Sequence, residues 1–200
     1  MRLDLSGVRA HEPAAVTDER RQAAVLAPVV SRPGGDHLLF IKRADHLGEH
    51  PGQMGFPGGG REPSDDGLVA TVCREVDEEV GMRADEVDIV GRLDDVRTVS
   101  EYAVRPFVGR VPDREYAPDE REVAEVVPLP VAALCDLDNY ESERRDHPHY
   151  GDARLHFFHV DGYTVWGATG RMLVQLLELA TDWRMPPDVD RVVDPDADLP

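Results

Sequence analysis

Residues 74–81 read Arg74-Glu75-Val76-Asp77-Glu78-Glu79-Val80-Gly81, and this run decides how the rest of the chain is read. Residues three and four apart on a helix are neighbours, so Glu75 faces both Glu78 and Glu79, and like charges at those spacings repel. Leu68, Val69, Val72, Val76 and Val80 make an apolar stripe centred roughly 95° around the helix from those acids, at about 100° per residue. The carboxylates therefore sit beside the core, not opposite it. Half-buried, adjacent carboxylates suit a hard divalent cation with oxygen ligands, Mg2+ or Mn2+. The competing reading is a solvated acidic face with Arg74 as its local partner.

The residues upstream bear on that choice. From Leu38 the chain runs LLFIKRADHLGEHPGQMGFPGGGREPSDDGLVATVCREVDEEVGM, which resembles the Nudix hydrolases and, within them, the coenzyme A pyrophosphatase branch. The family's helix motif, G-x5-E-x7-R-E-U-x-E-E-x-G-U with U aliphatic, aligns with Gly60, Asp66, Arg74, Glu75, Val76, Glu78, Glu79, Gly81 and Met82. An aspartate stands where the motif has glutamate, and the linker before Arg74 is one residue longer than in the shortest family loops. Either Asp65 or Asp66 can take that supporting role.

A second pattern, L-L-T-x-R-[SA]-x3-R-x3-G-x3-F-P-G-G, carries the branch resemblance. Leu39, Phe40, Ile41, Arg43, Ala44, Gly52, Phe56, Pro57, Gly58 and Gly59 fall in its register, with Phe40 and Ile41 as substitutions and Gly48 in place of the second arginine. Val165-Trp166-Gly167-Ala168-Thr169 is similar to the branch's V-W-G-x-T, and Glu122 to Leu129 to its E-V-x4-P-L.

The resemblance implies an αβα sandwich with a mixed sheet and hydrolysis of the diphosphate of coenzyme A or an acyl derivative. It implies that Glu75, Glu78 and Glu79 hold the metal and that Arg74 positions them. Arg43, Gly52, Phe56, Gly58 and Gly59 are the expected substrate-binding set, with the glycines allowing close backbone approach to phosphates. Any of the motif glutamates can serve as general base, as can a carboxylate from a later loop, Glu122 first and Glu125 next. With the second arginine absent, another nucleoside diphosphate-X such as ADP-ribose or NADH stays open as substrate, as does a non-catalytic nucleotide-binding regulator.

Composition narrows the class. Two hundred residues suit one domain able to bury a core without disulfides. Cys73 and Cys135 have no CxxC partner or zinc spacing, which fits a reducing compartment. With 40 acids against 22 bases the net charge is −18, a surface that repels nucleic acid. Lys42 is the only lysine, and so acidic a chain also fits adaptation to concentrated salt. Apolar runs are too short for a signal peptide or membrane span, so the expectation is a cytoplasmic protein, monomer or homodimer, acting on a small-molecule nucleotide.

Three segments are expected: an N-terminal extension packed on the domain (1–22), the Nudix domain (23–183) and an acidic, mobile tail (184–200). Strands are predicted at about 23–31, 37–43, 87–93, 102–111, 122–127, 155–160 and 163–166. Helices are predicted at 66–80, 131–137 and 168–181, the first capped by Ser64 or Asp65 and closed by Gly81. The segment between 137 and 155 reads as an acidic loop, in which His147-Pro148-His149 has the look of a metal pair but lacks further ligands.

Overall fold

The computed structural model describes residues 1–48, 50–98, 100–147, 151–194 and 197. A short helix, α1 (Ser6–Ala10), precedes the long strand β1 (Arg21–Arg32), which turns through Pro33 and Gly34 into β2 (Gly35–Arg43). The strands β3 (Met54–Gly55) and β4 (Gly58–Gly60) flank Phe56-Pro57 and lead to helix α2 (Leu68–Val80). After β5 (Asp88–Arg92), β6 (Val96–Arg97), β7 (Tyr102–Val111) and β8 (Val123–Pro130) comes the one-turn helix α3 (Val131–Leu134). The chain then forms β9 (Tyr140–His147), β10 (Gly151–Val160), β11 (Tyr163–Val165), α4 (Gly167–Ala180) and β12 (Arg191–Val192).

The larger sheet runs β3-β2-β1-β7-β5, with β4 paired to β1, β6 to β7 and β8 to β2. β1 and β7 are parallel from Arg21↔Tyr102 to Val30↔Val111, and the other pairs are antiparallel, so the sheet is mixed. Its central strand carries a near-continuous apolar run from Ala23 to Val30, as a strand covered on both faces requires. One face packs Leu26, Leu39 and Ile41 against Val72, Val76 and Val80 of α2. The other packs Leu38 and Phe40 in a cluster with Phe158 of β10 and Leu173 and Leu177 of α4. Layers of helix lie on both faces of a mixed sheet, which is the αβα arrangement.

The expectations hold for the larger elements and fail at particular places. Helix α2 begins at Leu68 after Gly67 and has no side-chain cap, because the Asp65 carboxylate is turned to Thr71, Arg74 and the Glu62 N–H instead. Val69, assigned to the apolar stripe, is half exposed. The segment read as an acidic loop is strand β9, paired antiparallel with β10 in a second sheet of order β11-β10-β9-β12. Its polar pattern hides the strand, since the side chains it buries include Ser142, Glu143 and Arg145. Pro148 and His149 lie outside the described residues.

Among the described residues, both flanking segments make contacts with the domain. Leu3, Leu5 and Val8 of the extension are buried in the core, and Asp36 accepts from the Leu3 N–H at 3.0 Å. The tail was expected to be mobile. In the structure, residues 184–194 lie along the second sheet: Asp190 accepts from the Ser142 N–H at 2.7 Å and Arg191 pairs with Glu143 at 3.0 Å.

Candidate active site

Helix α2 lies against β4 and sets its acids at graded depths. Glu79 is 4% exposed, the Glu75 side chain 14% and the Glu78 side chain 59%. Gly58 of β4 donates its N–H to Glu79 Oε2 at 2.8 Å. A Cβ on Gly59 would stand 2.6 Å from the Glu75 carboxyl atoms, so Gly59 leaves the hollow that this carboxylate fills. Gly58 has φ +143°, and a Cβ there would meet Ala24 O at 2.2 Å, which gives glycine a steric reason at both positions.

Burial pushes Glu79 up to about 8, with the Gly58 hydrogen bond opposing and the negative charges of Glu75 and Glu122 adding to the rise. Burial also raises Glu75, against the pull of Arg74 beside it. Arg43, on β2, faces this group closely enough to draw Glu79 back down, and its Nε is buried with no hydrogen-bond partner. Glu122 is exposed at the start of β8 yet electrostatically linked to both buried glutamates. Glu125, by contrast, accepts from the Tyr163 hydroxyl at 2.8 Å.

Arg74 ties the helix to the loop before it. Its guanidinium reaches Asp65 at 3.1 Å, Glu75 at 2.9 Å and Glu78 at 2.9 Å, and donates to the Gly60 carbonyl at 2.9 Å. Hydrogen bonds from Arg74, the Glu62 N–H and the Thr71 hydroxyl hold Asp65 down at about 2. Asp65 is buried while Asp66 is exposed, so of the two aspartates it is Asp65 that the structure joins to Arg74. Thr71 was not singled out from sequence; the signal was its place three residues before Arg74 on the same helical face.

The remaining substrate-binding candidates separate into two roles. Phe56 is buried and stacks on Phe40 with ring centroids 4.9 Å apart, so it backs the loop from the core and does not face open space. Gly52, at φ +69°, donates to the Arg43 carbonyl at 3.2 Å and shapes the turn. Beside that turn lies a cleft of about 440 Å3 lined by Lys42, His50, Gln53 and Trp166 among others.

The donor set is all carboxylate oxygen, which suits a hard divalent cation. Glu75 raises the cost of ionising Glu79, a conflict that a cation relieves. Among the described residues no three acids converge on one point, because Arg74 draws Glu75 and Glu78 to itself. Among the described residues, too, no helix is long and apolar enough to cross a membrane.

Comparisons with known proteins agree with this geometry. The NUDIX domain family matches residues 20–150. The chain is 40% identical over 163 residues to "Uncharacterized Nudix hydrolase NudL" of Enterobacter sp. (strain 638), covering 78% of this chain and 81% of that protein. To the protein of the same name in Escherichia coli O7:K1 it is 37% identical over 164 residues, covering 80% and 83%. Among solved structures, the Nudix hydrolase RenU from M. smegmatis matches at 20% identity and a TM-score of 0.46, over 58% of this chain and 74% of that one. An acid-bearing helix seated on a glycine strand, and a family match that spans both, lead to one conclusion: this chain belongs to the Nudix hydrolases.

Proposed function

We propose that this protein is a metal-dependent diphosphatase that cleaves coenzyme A or acyl-coenzyme A to 3',5'-ADP and 4'-phosphopantetheine or its acylated form. The observation that carries the reading is the seating of the Glu75 and Glu79 carboxylates on Gly58 and Gly59, with Arg43 facing them from the neighbouring strand. Support for the branch comes from Arg43, Gly52, Phe56, Gly58 and Gly59, which keep its register in the sequence, and from the cleft beside Gly52, large enough for one arm of such a substrate.

Nudix hydrolases generally use divalent metal ions, and Glu75, Glu78 and Glu79 would hold Mg2+ or Mn2+ here. Such an ion, when bound, offsets charge on the diphosphate and acidifies the attacking water. Arg43 has an unpaired buried N–H to give a phosphate oxygen, a charge-assisted hydrogen bond. Gly58 and Gly59 seat the Glu79 and Glu75 carboxylates against β4. Glu122, solvent-facing and near both buried acids, takes the proton of the water whose oxygen bonds to phosphorus as the bridging P–O bond breaks. Arg74 is a positioning residue that holds Glu75 and Glu78 to the loop.

Gly48 in place of the second branch arginine keeps ADP-ribose or NADH as the alternative substrate class. Mass spectrometry of products after incubation with Mg2+ or Mn2+ and each of coenzyme A, ADP-ribose and NADH, in dilute and multimolar salt, tests the reading. Metal-dependent 3',5'-ADP from coenzyme A in excess over turnover of the others is the expected result. Preferential cleavage of another substrate removes the specificity and keeps the chemistry, and no turnover in any condition points to a binding module.

A further inference from the structure

In a protein with 40 acids and 22 bases, three guanidinium groups without a carboxylate partner among the described residues meet in one place. Arg20, Arg21 and Arg61 line an open cleft of about 700 Å3 whose wall includes Gly60 and Tyr102. None of the three makes an ion pair among the described residues. Arg21 lies over the Tyr102 ring, 3.9 Å from its centroid. Arg61 donates only to neutral acceptors, Gln22 Oε1 and the Asp65 carbonyl, both at 3.3 Å. Two acids also line the cleft: Glu19, which pairs with Arg97 at 2.7 Å, and Glu62, which accepts from Ser64 at 3.4 Å and keeps its charge. Three guanidinium groups against these two carboxylates leave the concavity with an excess of positive charge, which suits a phosphate.

The cleft joins the active site through one residue. Gly60, in its wall, accepts from Arg74 at 2.9 Å, and Arg74 in turn pairs with Glu75 at 2.9 Å. One residue back, Gly59 is the position on which the Glu75 carboxylate packs. Further back in the chain, Gly52 and Gln53 line the second cleft with Lys42 and Trp166. In chain order, then, the glycines that meet the catalytic carboxylates stand between two clefts, one rich in arginine and one lined by a lysine and aromatic rings.

We propose that the cleft of Arg20, Arg21 and Arg61 holds the nucleotide half of the substrate by a phosphate monoester on its ribose. The diphosphate is thereby presented with its nucleoside toward Gly60 and its other arm toward Lys42 and Trp166. This rests on the coenzyme A reading above and adds to it a direction for the substrate and the residues that select a ribose phosphate.

The test is calorimetric titration of the full-length, metal-free protein with 3',5'-ADP and with 5'-AMP, for wild type, Arg20→Gln, Arg61→Gln and Arg61→Lys. Wild type should bind 3',5'-ADP tighter by about tenfold or more, the scale of one charge-assisted hydrogen bond. Each glutamine variant should lose most of that advantage at unchanged Tm, as expected for exposed side chains, and Arg61→Lys should keep part of it. Equal binding of the two nucleotides to wild type, or an advantage that survives both glutamine substitutions, overturns the proposal. With Mg2+, the ratio of kcat/KM for coenzyme A over dephospho-coenzyme A should fall by a similar factor in the same variants. Coenzyme A turnover with an unaltered ratio would remove the subsite alone. Absence of coenzyme A turnover, with the 3',5'-ADP advantage still dependent on arginine, would remove the substrate and leave the subsite.

Discussion

The Gly58 N–H reaches Glu79 Oε2 over 2.8 Å, joining the glycine strand to the most buried acid of helix α2. That hydrogen bond favours the ionised carboxylate, while burial favours the protonated one, and burial prevails, leaving Glu79 at about 8. Near neutral pH the site therefore keeps its deepest glutamate protonated.

A pH profile of stability follows from this. Glu79 rises from the usual 4.5 to about 8 on folding, so between those values the folded chain holds a proton that the unfolded chain releases. Its stabilising contribution is complete below about 4.5 and is lost as the pH climbs through about 8. The Tm of metal-free protein should fall across that window, and Glu79→Gln, which still accepts from Gly58 but cannot ionise, should flatten the fall. A wild-type curve as flat as the variant's would mean that Glu79 ionises normally. Turnover by Glu79→Gln should drop at least about a hundredfold, the scale set by losing a group that acts at the reacting centre.

Gly58→Ala and Gly59→Ala should fail in different ways. At Gly58 the new Cβ meets backbone, Ala24 O at 2.2 Å and Val25 Cα at 2.6 Å, and neither atom can swing away. Thermal unfolding should register a loss of about 1–3 kcal/mol, the range for backbone strain of this kind. At Gly59 the obstacle is the movable end of Glu75. That variant should keep its Tm within a few degrees and lose activity roughly tenfold or more, as expected when a catalytic group shifts by about 1 Å.

Asp65 and Asp66 are adjacent and should be far from equivalent. Asp65→Asn removes the charge that anchors Arg74 and places an amide where the Glu62 N–H and Thr71 hydroxyl now donate. A lower Tm and at least about tenfold lower kcat are expected, since the arginine that positions two ligands loses its anchor. Asp66→Asn, at an exposed site, should match wild type in both measurements. Asp65 also works opposite to Glu79 in acid: held at about 2 against the usual 3.8, it contributes stability above pH 3.8 that fades as the pH drops through about 2.

The base assignment separates Glu122 from Glu125. Glu122→Gln should lower kcat by about a hundredfold or more, as expected for loss of a general base. Glu125→Gln should leave kcat in place, because its carboxylate is held by Tyr163. A Glu122→Gln rate within a few-fold of wild type would reduce Glu122 to a surface charge.

The helix-and-glycine half of the fold was legible because its chemistry is local. Val72, Val76 and Val80 repeat at helical spacing, and the acids occupy one side of the same turns, so the helix follows from periodicity, whereas the half-buried acids expected there divide into a buried Glu79 and an exposed Glu78. Choosing between Asp65 and Asp66 was beyond reach, since the choice depends on a loop that brings Asp65 to Thr71 and Arg74. Strand β9 was illegible for a different reason. Its buried Glu143 and Arg145 satisfy each other and are further met by Arg191 and the Ala197 carbonyl. A pattern that relies on apolar residues facing inward cannot register a strand whose interior is an ion pair. The cleft of Arg20, Arg21 and Arg61 was equally hidden, because the strand pairing Ala23↔Gly60 and Arg21↔Tyr102 is what assembles it from three distant segments.

Strand β12 lies parallel to β9, with Arg191 opposite Glu143 and Val192 opposite Arg144. Without it the smaller sheet would present a bare ladder of N–H and C=O groups, ready to recruit the same strand from another molecule. Strand β12 thus acts as a guard against self-association. A protease that clips after Trp183 should leave the glutamates of α2 in place while turning the protein into one that aggregates, and light scattering after limited digestion would reveal it.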